Sequence, residues 1–183
     1  ARRDELMIRQ NETPWQGRAT VLLDTRARYH TDWSFEAAVS AAASVLTACW
    51  QRRSLIRLMT TDGADSGFGT GPGHLELMLG RLALVDVSDD AGLAGLTPGR
   101  AGDGAVAAIT TAAVPPGEMA ALGRLGWKPS LVTLVVFDGP GHHPASTRWP
   151  AVGHLVRVGA TQPFAPAWDR AMSVTLHGAG RLS

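Results

Sequence analysis

Three aspartates stand where carboxylates could act together. Asp24 follows the apolar run Val21–Leu23, Asp62 comes shortly after Leu55–Met59, and Asp138 ends the run that begins at Leu131. Each run reads as a strand, and residues that follow the strands of a parallel sheet share its carboxyl edge. A carboxylate cluster there could hold magnesium for phosphoryl chemistry. Strand spacing of ~4.8 Å brings Asp24 and Asp62 within reach if their strands adjoin, but leaves Asp138, two strands away, ~10 Å off. Aspartates at strand ends also form turns, and that is the expected role of the trio.

Two cations stand just after the first of these runs, in Asp24-Thr25-Arg26-Ala27-Arg28. This loop falls at the expected topological switch point, where open α/β sheets place ligands. A carboxylate at a strand terminus is partly buried and needs a counter-charge. At least one of Arg26 and Arg28 is therefore expected within salt-bridge distance of Asp24 or Asp62, leaving the other to face a partner or an anion. The run Gly67-Phe68-Gly69-Thr70-Gly71-Pro72-Gly73 precedes a helix and could offer backbone amides to an anion. It lacks lysine, is out of register with G-x-G-x-x-G and contains a proline without an N–H. A turning loop that lines the same crevice as Asp24 is the expectation.

Other reactive residues read as structural. His142-His143 has no third ligand near it in sequence, and Cys49 lies on the apolar side of a helical pattern, as a packed thiol would. No G-x-S-x-G, H-E-x-x-H or triad order is present. Trp33 and Trp149 fall in or beside carboxyl-edge loops. Tryptophan and arginine are frequent binding hot spots, although a buried packing role suits both tryptophans as well.

Composition narrows the classes further. With 17 basic and 16 acidic residues, the 183-residue chain has no basic excess for nucleic acid or an anionic membrane. Its length suits one domain with a substantial core. One cysteine excludes a disulfide framework, and a reducing compartment is expected. Lys128 is the sole lysine, so no Lys-Ser/Thr phosphate loop can be built. No apolar stretch approaches the ~20 residues that span a bilayer, and residues 1–12 are too charged for a signal peptide. The opening Ala1-Arg2-Arg3 suggests a fragment or processed form.

Strand and helix patterns alternate along the chain. Val21–Asp24, Leu55–Met59, Ala105–Thr110, Leu131–Asp138 and His154–Val158 read as strands. Phe35, Val39, Ala42, Leu46 and Cys49 mark a helix from Ser34 to Arg52, with Asp32 or Ser34 as cap; Leu75 to Leu82 marks a second. Pro115-Pro116 opens a third and Ala165–Ser173 forms a fourth. The fold class is α/β, a three-layer α/β/α sandwich with a mostly parallel, Rossmann-like sheet. Residues 1–12, with the lone strand pattern Leu6–Arg9, read as a strand or tail from an upstream unit, and residues 13–183 as the domain.

This order resembles a von Willebrand factor A-like domain. The pattern Ala1-Arg2 with Leu6–Arg9, Leu22-Leu23-Asp24 and Thr60-Thr61-Asp62-Gly63 is similar, more specifically, to the bacterial domain of unknown function 58 family. The resemblance implies sheet order 3-2-1-4-5-6 or a five-stranded version of it, since 61–72 is poor material for the short edge strand. It also implies a metal site built from Asp-x-Ser-x-Ser, a threonine and a further aspartate. Asp24 matches the first position and Thr70 is the match for the threonine. Arg26 and Arg28 replace the serines, and no aspartate follows 105–110, so the metal site is read as degenerate, with no cofactor.

The resulting expectation is a non-enzymatic protein-interaction module with Asp24, Arg26, Arg28, Trp33, Asp62 and Thr70 on its interaction edge. The resemblance implies a cytoplasmic domain of a membrane-associated parent working with a MoxR-type AAA+ ATPase, without nucleic-acid or membrane contact by this fragment. The alternative is a magnesium-dependent enzyme or small-anion binder using the same crevice.

Overall fold

The computed structural model describes residues 17–93, 96, 104–123, 128–139 and 150–178. The strand pattern at Leu6–Arg9, the pair His142-His143 and Trp149 lie outside the described residues. Five strands form one parallel sheet: β1 (Arg18–Leu23), β2 (Leu55–Thr60), β3 (Ala105–Thr111), β4 (Val132–Asp138) and β5 (His154–Gly159). Their order is β2-β1-β3-β4-β5, the five-stranded arrangement expected, and it reverses direction between β1 and β3.

Helices α1 (Asp32–Gln51), α2 (Pro72–Leu82), α3 (Pro116–Gly123) and α4 (Phe164–Gly178) cover both faces of the sheet. Alternate residues divide the core into two layers because strand side chains point to opposite faces. Ala19, Val21 and Leu23 join Ile109, Phe137 and Val158 beneath α1, α2 and α4. Leu22, Val106, Leu134 and Val136 pack with Met119 of α3 on the other face. Alanines at 38, 41 and 42 are buried, so α1 lies close against the middle of the sheet.

Helix α1 begins two residues before the pattern suggests. Thr31 is its cap: its hydroxyl accepts from the Ser34 amide while the Ser34 side chain accepts from the Thr31 amide. This draws Trp33 into the first turn, edge-on to Phe137 with ring centroids 6.1 Å apart. Gly139, just past β4, has no side chain because a Cβ there would overlap the Trp33 ring.

The glycine-rich loop departs from expectation. After β2 the chain reverses and pairs back along the outer edge of that strand, with bridges Met59 to Asp65 and Ile56 to Gly69. Gly67 and Gly71 adopt φ of +66° and +86°, a left-handed backbone that favours glycine. Gly69 is therefore level with the start of β2, at the amino edge of the sheet, and Thr70 lies there too. The loop does not line the Asp24 crevice. Arg57 holds the reversal in place, its Nε and Nη2 donating to Asp65 at 2.8 and 2.5 Å. Helix α2 then starts at the amino edge and returns the chain to the carboxyl edge, where Ser88 pairs with Arg26.

Candidate functional site

Register determines what surrounds Asp24. Leu23 is level with Thr60 of β2 and Ile109 of β3, so the next residue up finds Thr61 on one side and Thr110 on the other. The Asp24 amide donates to the Ile109 carbonyl at 2.9 Å, which keeps the backbone in the ladder and turns the carboxylate upward. Five donors then reach that carboxylate. Oδ1 accepts from Arg26 Nε at 2.8 Å, the Arg26 amide at 3.1 Å and Thr61 Oγ1 at 3.3 Å. Oδ2 accepts from Arg26 Nη2 at 2.6 Å and Thr110 Oγ1 at 2.7 Å. The expected salt bridge is present, two-pronged and made by Arg26.

Arg26 is 1% exposed and Asp24 3%, so this is a buried ion pair. Burial by itself would raise the Asp24 pKa, but the hydrogen bonds and charge of Arg26, helped by Thr110, carry it below the ordinary carboxylate value. Burial likewise opposes the Arg26 charge, and the Asp24 carboxylate outweighs it. Arg26 Nη1 reaches Glu118 of α3, and Tyr29 O–H donates to the other oxygen of Glu118 at 2.6 Å. The Arg26 and Arg28 guanidiniums lie 4.6 and 4.8 Å from the Tyr29 ring centroid. Thr25 completes the lock: its amide and hydroxyl meet Thr61 Oγ1 at 2.8 and 3.0 Å.

The connector after α2 closes the crevice from above. The Ser88 amide donates to Thr25 O at 2.7 Å, the Ala27 amide to Ser88 O at 3.1 Å and the Gly92 amide to Thr61 O at 2.9 Å. Leu93 and Leu96 continue into the core against Leu22 and Met59. The switch point is filled by side chains and backbone.

The other expected site residues separate. Arg28 is half exposed, 3.6 Å from Glu118. Asp62 is exposed and forms a turn, accepting from its own loop through Thr60 Oγ1 and the Ala64 amide. Although β1 and β2 adjoin, Asp62 joins no cluster with Asp24. Trp33 is a half-buried packing residue, Thr70 is at the opposite edge, and Asp138 pairs with Arg157 at 2.6 Å. Thr25, Thr61, Thr110, Tyr29 and Glu118 are the site residues that sequence reasoning passed over. Once strand order is known, Thr61 and Thr110 follow from register alone. Among the described residues no group of three or more His, Cys, Asp or Glu side chains is gathered as a metal would require.

Fold and site together define a doubly wound α/β domain whose switch point is closed by an arginine–carboxylate pair. No protein-family model matches the chain, and no curated protein matches it.

Proposed function

We propose that this domain is a non-enzymatic protein-interaction module, a von Willebrand factor A-like scaffold with a guanidinium in place of the metal. The observation that carries this reading is the saturation of Asp24. Five donors occupy the carboxylate where a metal or a reacting group would need open coordination. Arg26 supplies the counter-charge from within the chain and ties β1 to α3 through Glu118. The carboxyl edge thereby becomes a rigid platform that carries exposed loops, the usual place for recognition.

On this reading Asp24, Arg26 and Trp33 shape the edge from beneath, while Arg28 and Asp62 meet the partner. The partner we propose is a MoxR-type AAA+ ATPase, and the setting is the cytoplasmic part of a membrane-associated protein. Among the described residues no helix is long and apolar enough to cross a membrane.

Calorimetry of the full chain with a purified MoxR-type ATPase from the same genome tests the proposal. Saturable binding is expected, weakened about tenfold, or ~1.4 kcal/mol, by Arg28→Glu at unchanged melting temperature. Magnesium titration of the same sample should give no saturable site below millimolar concentration. Absence of ATPase binding together with a tight magnesium site abolished by Asp24→Ala would replace this reading with that of a magnesium-dependent enzyme.

A further inference from the structure

We propose that a groove beside β2 docks a partner segment presenting one large apolar side chain flanked by arginines or lysines. The proposal deepens the interaction reading above and rests on it. The groove, of about 260 Å³, lies between β2 and the end of α2, where Leu58, Leu82, Leu84 and Val85 form its apolar lining. Leu84 is 88% exposed. Of the four large apolar side chains exposed among the described residues, it is the most exposed and the one that lines the groove. Single exposed leucines are ordinary, but one set in the wall of an apolar concave surface marks an interaction site.

Charge identifies the occupant. Asp62 is on the rim, and Asp86 directly follows Val85 of the lining. The hydrogen bond from the Gly92 amide to Thr61 O holds the segment that carries Asp89 and Asp90 beside Thr61, the chain neighbour of Asp62. All four carboxylates are exposed, and among the described residues none is in a salt bridge. Arg81 is the one cation of the lining. A chain whose net charge is +1 thus concentrates negative charge around its most exposed apolar surface. Basic residues beside an apolar anchor complement both features.

Docking here is by side chains rather than strand addition. The outer edge of β2 is already paired, through Ile56 with Gly69 in both directions, Leu58 O with the Ser66 amide, and the Thr60 amide with Ala64 O.

The test uses two fluorescein-labelled amphipathic peptides, one of leucines and arginines and its counterpart with glutamates for arginines, titrated with the full chain by anisotropy. The basic peptide should bind saturably and more weakly as salt rises, and the acidic one should not bind. Leu84→Ser and the triple variant Asp86→Asn/Asp89→Asn/Asp90→Asn should each weaken binding about tenfold while melting like the parent. Equal binding of both peptides, or unchanged affinity in variants that melt like the parent, would overturn the groove. ATPase binding at parental affinity by Leu84→Ser would also overturn it while leaving the interaction module standing. An ATPase that ignores the parent chain, together with a tight magnesium site lost in Asp24→Ala, would remove the module reading instead, and the peptide titration would still decide the groove.

Discussion

Replacing Arg26 with methionine removes the guanidinium while keeping most of the buried stem. Asp24 loses the Nε and Nη2 bonds but keeps the residue 26 amide, Thr61 Oγ1 and Thr110 Oγ1. Stripping the partner from a buried charge costs ~3–5 kcal/mol, because the remaining ion is left uncompensated. The lost contact to Glu118 adds at most ~1 kcal/mol, since that side chain is 38% exposed and solvent screens it. A total of ~4 kcal/mol, with a urea m-value of roughly 2 kcal/mol/M, lowers the unfolding midpoint by ~2 M.

The pH dependence supplies the sharper test. In the parent, the folded Asp24 pKa is below its unfolded value, so its stabilisation is present above the unfolded pKa of about 3.9 and is lost as pH falls through the folded one. In Arg26→Met, only the weaker counterweight of the Thr110, Thr61 and backbone donors is left against burial, and the pKa rises. The penalty is then largest at high pH and is relieved as pH falls, so the deficit against the parent narrows between pH 8 and pH 5. Asp24→Asn/Arg26→Met should be more stable than Arg26→Met alone, since no buried charge remains. Urea melts at both pH values read all of this. A deficit under ~1 kcal/mol, or one that is constant with pH, would refute the claim that a charged buried carboxylate depends on Arg26.

Thr110→Val keeps the shape of the strand but removes a donor to the carboxylate at 2.7 Å; a loss of ~1.5–3 kcal/mol is expected in urea melts. Gly139→Ala should cost ~1–3 kcal/mol through overlap with Trp33, and Trp33→Ala should relieve that clash, so a double-mutant cycle in thermal melts should show strong coupling. Burial pushes the Cys49 thiol up to about 11, so a thiol reagent at pH 8 should label the native protein far more slowly than the unfolded chain.

The alternation of apolar runs and helical patterns was enough to reach the five strands and four helices of the described residues and their parallel class, because those signals are local and repeat with the period of the backbone. Pairing of Asp24 with a nearby arginine was legible for the same reason: the two are two residues apart at a strand end, and a carboxylate there needs a counter-charge. The choice of Arg26 over Arg28 was not legible, since it depends on which guanidinium the turn Ala27–Tyr29 leaves inside. Thr61, Thr110 and Glu118 reach the site from 37, 86 and 92 positions away along the chain. Only strand order and register bring them together. Thr70 was misplaced because nothing local announces that the chain after β2 doubles back along that strand's edge; the bridges at Asp65 and Gly69 carry it to the opposite end of the sheet. Closure of the crevice by Ser88 and Gly92 is likewise a tertiary event, made of backbone hydrogen bonds that any sequence can form and only the path of the chain can bring into reach.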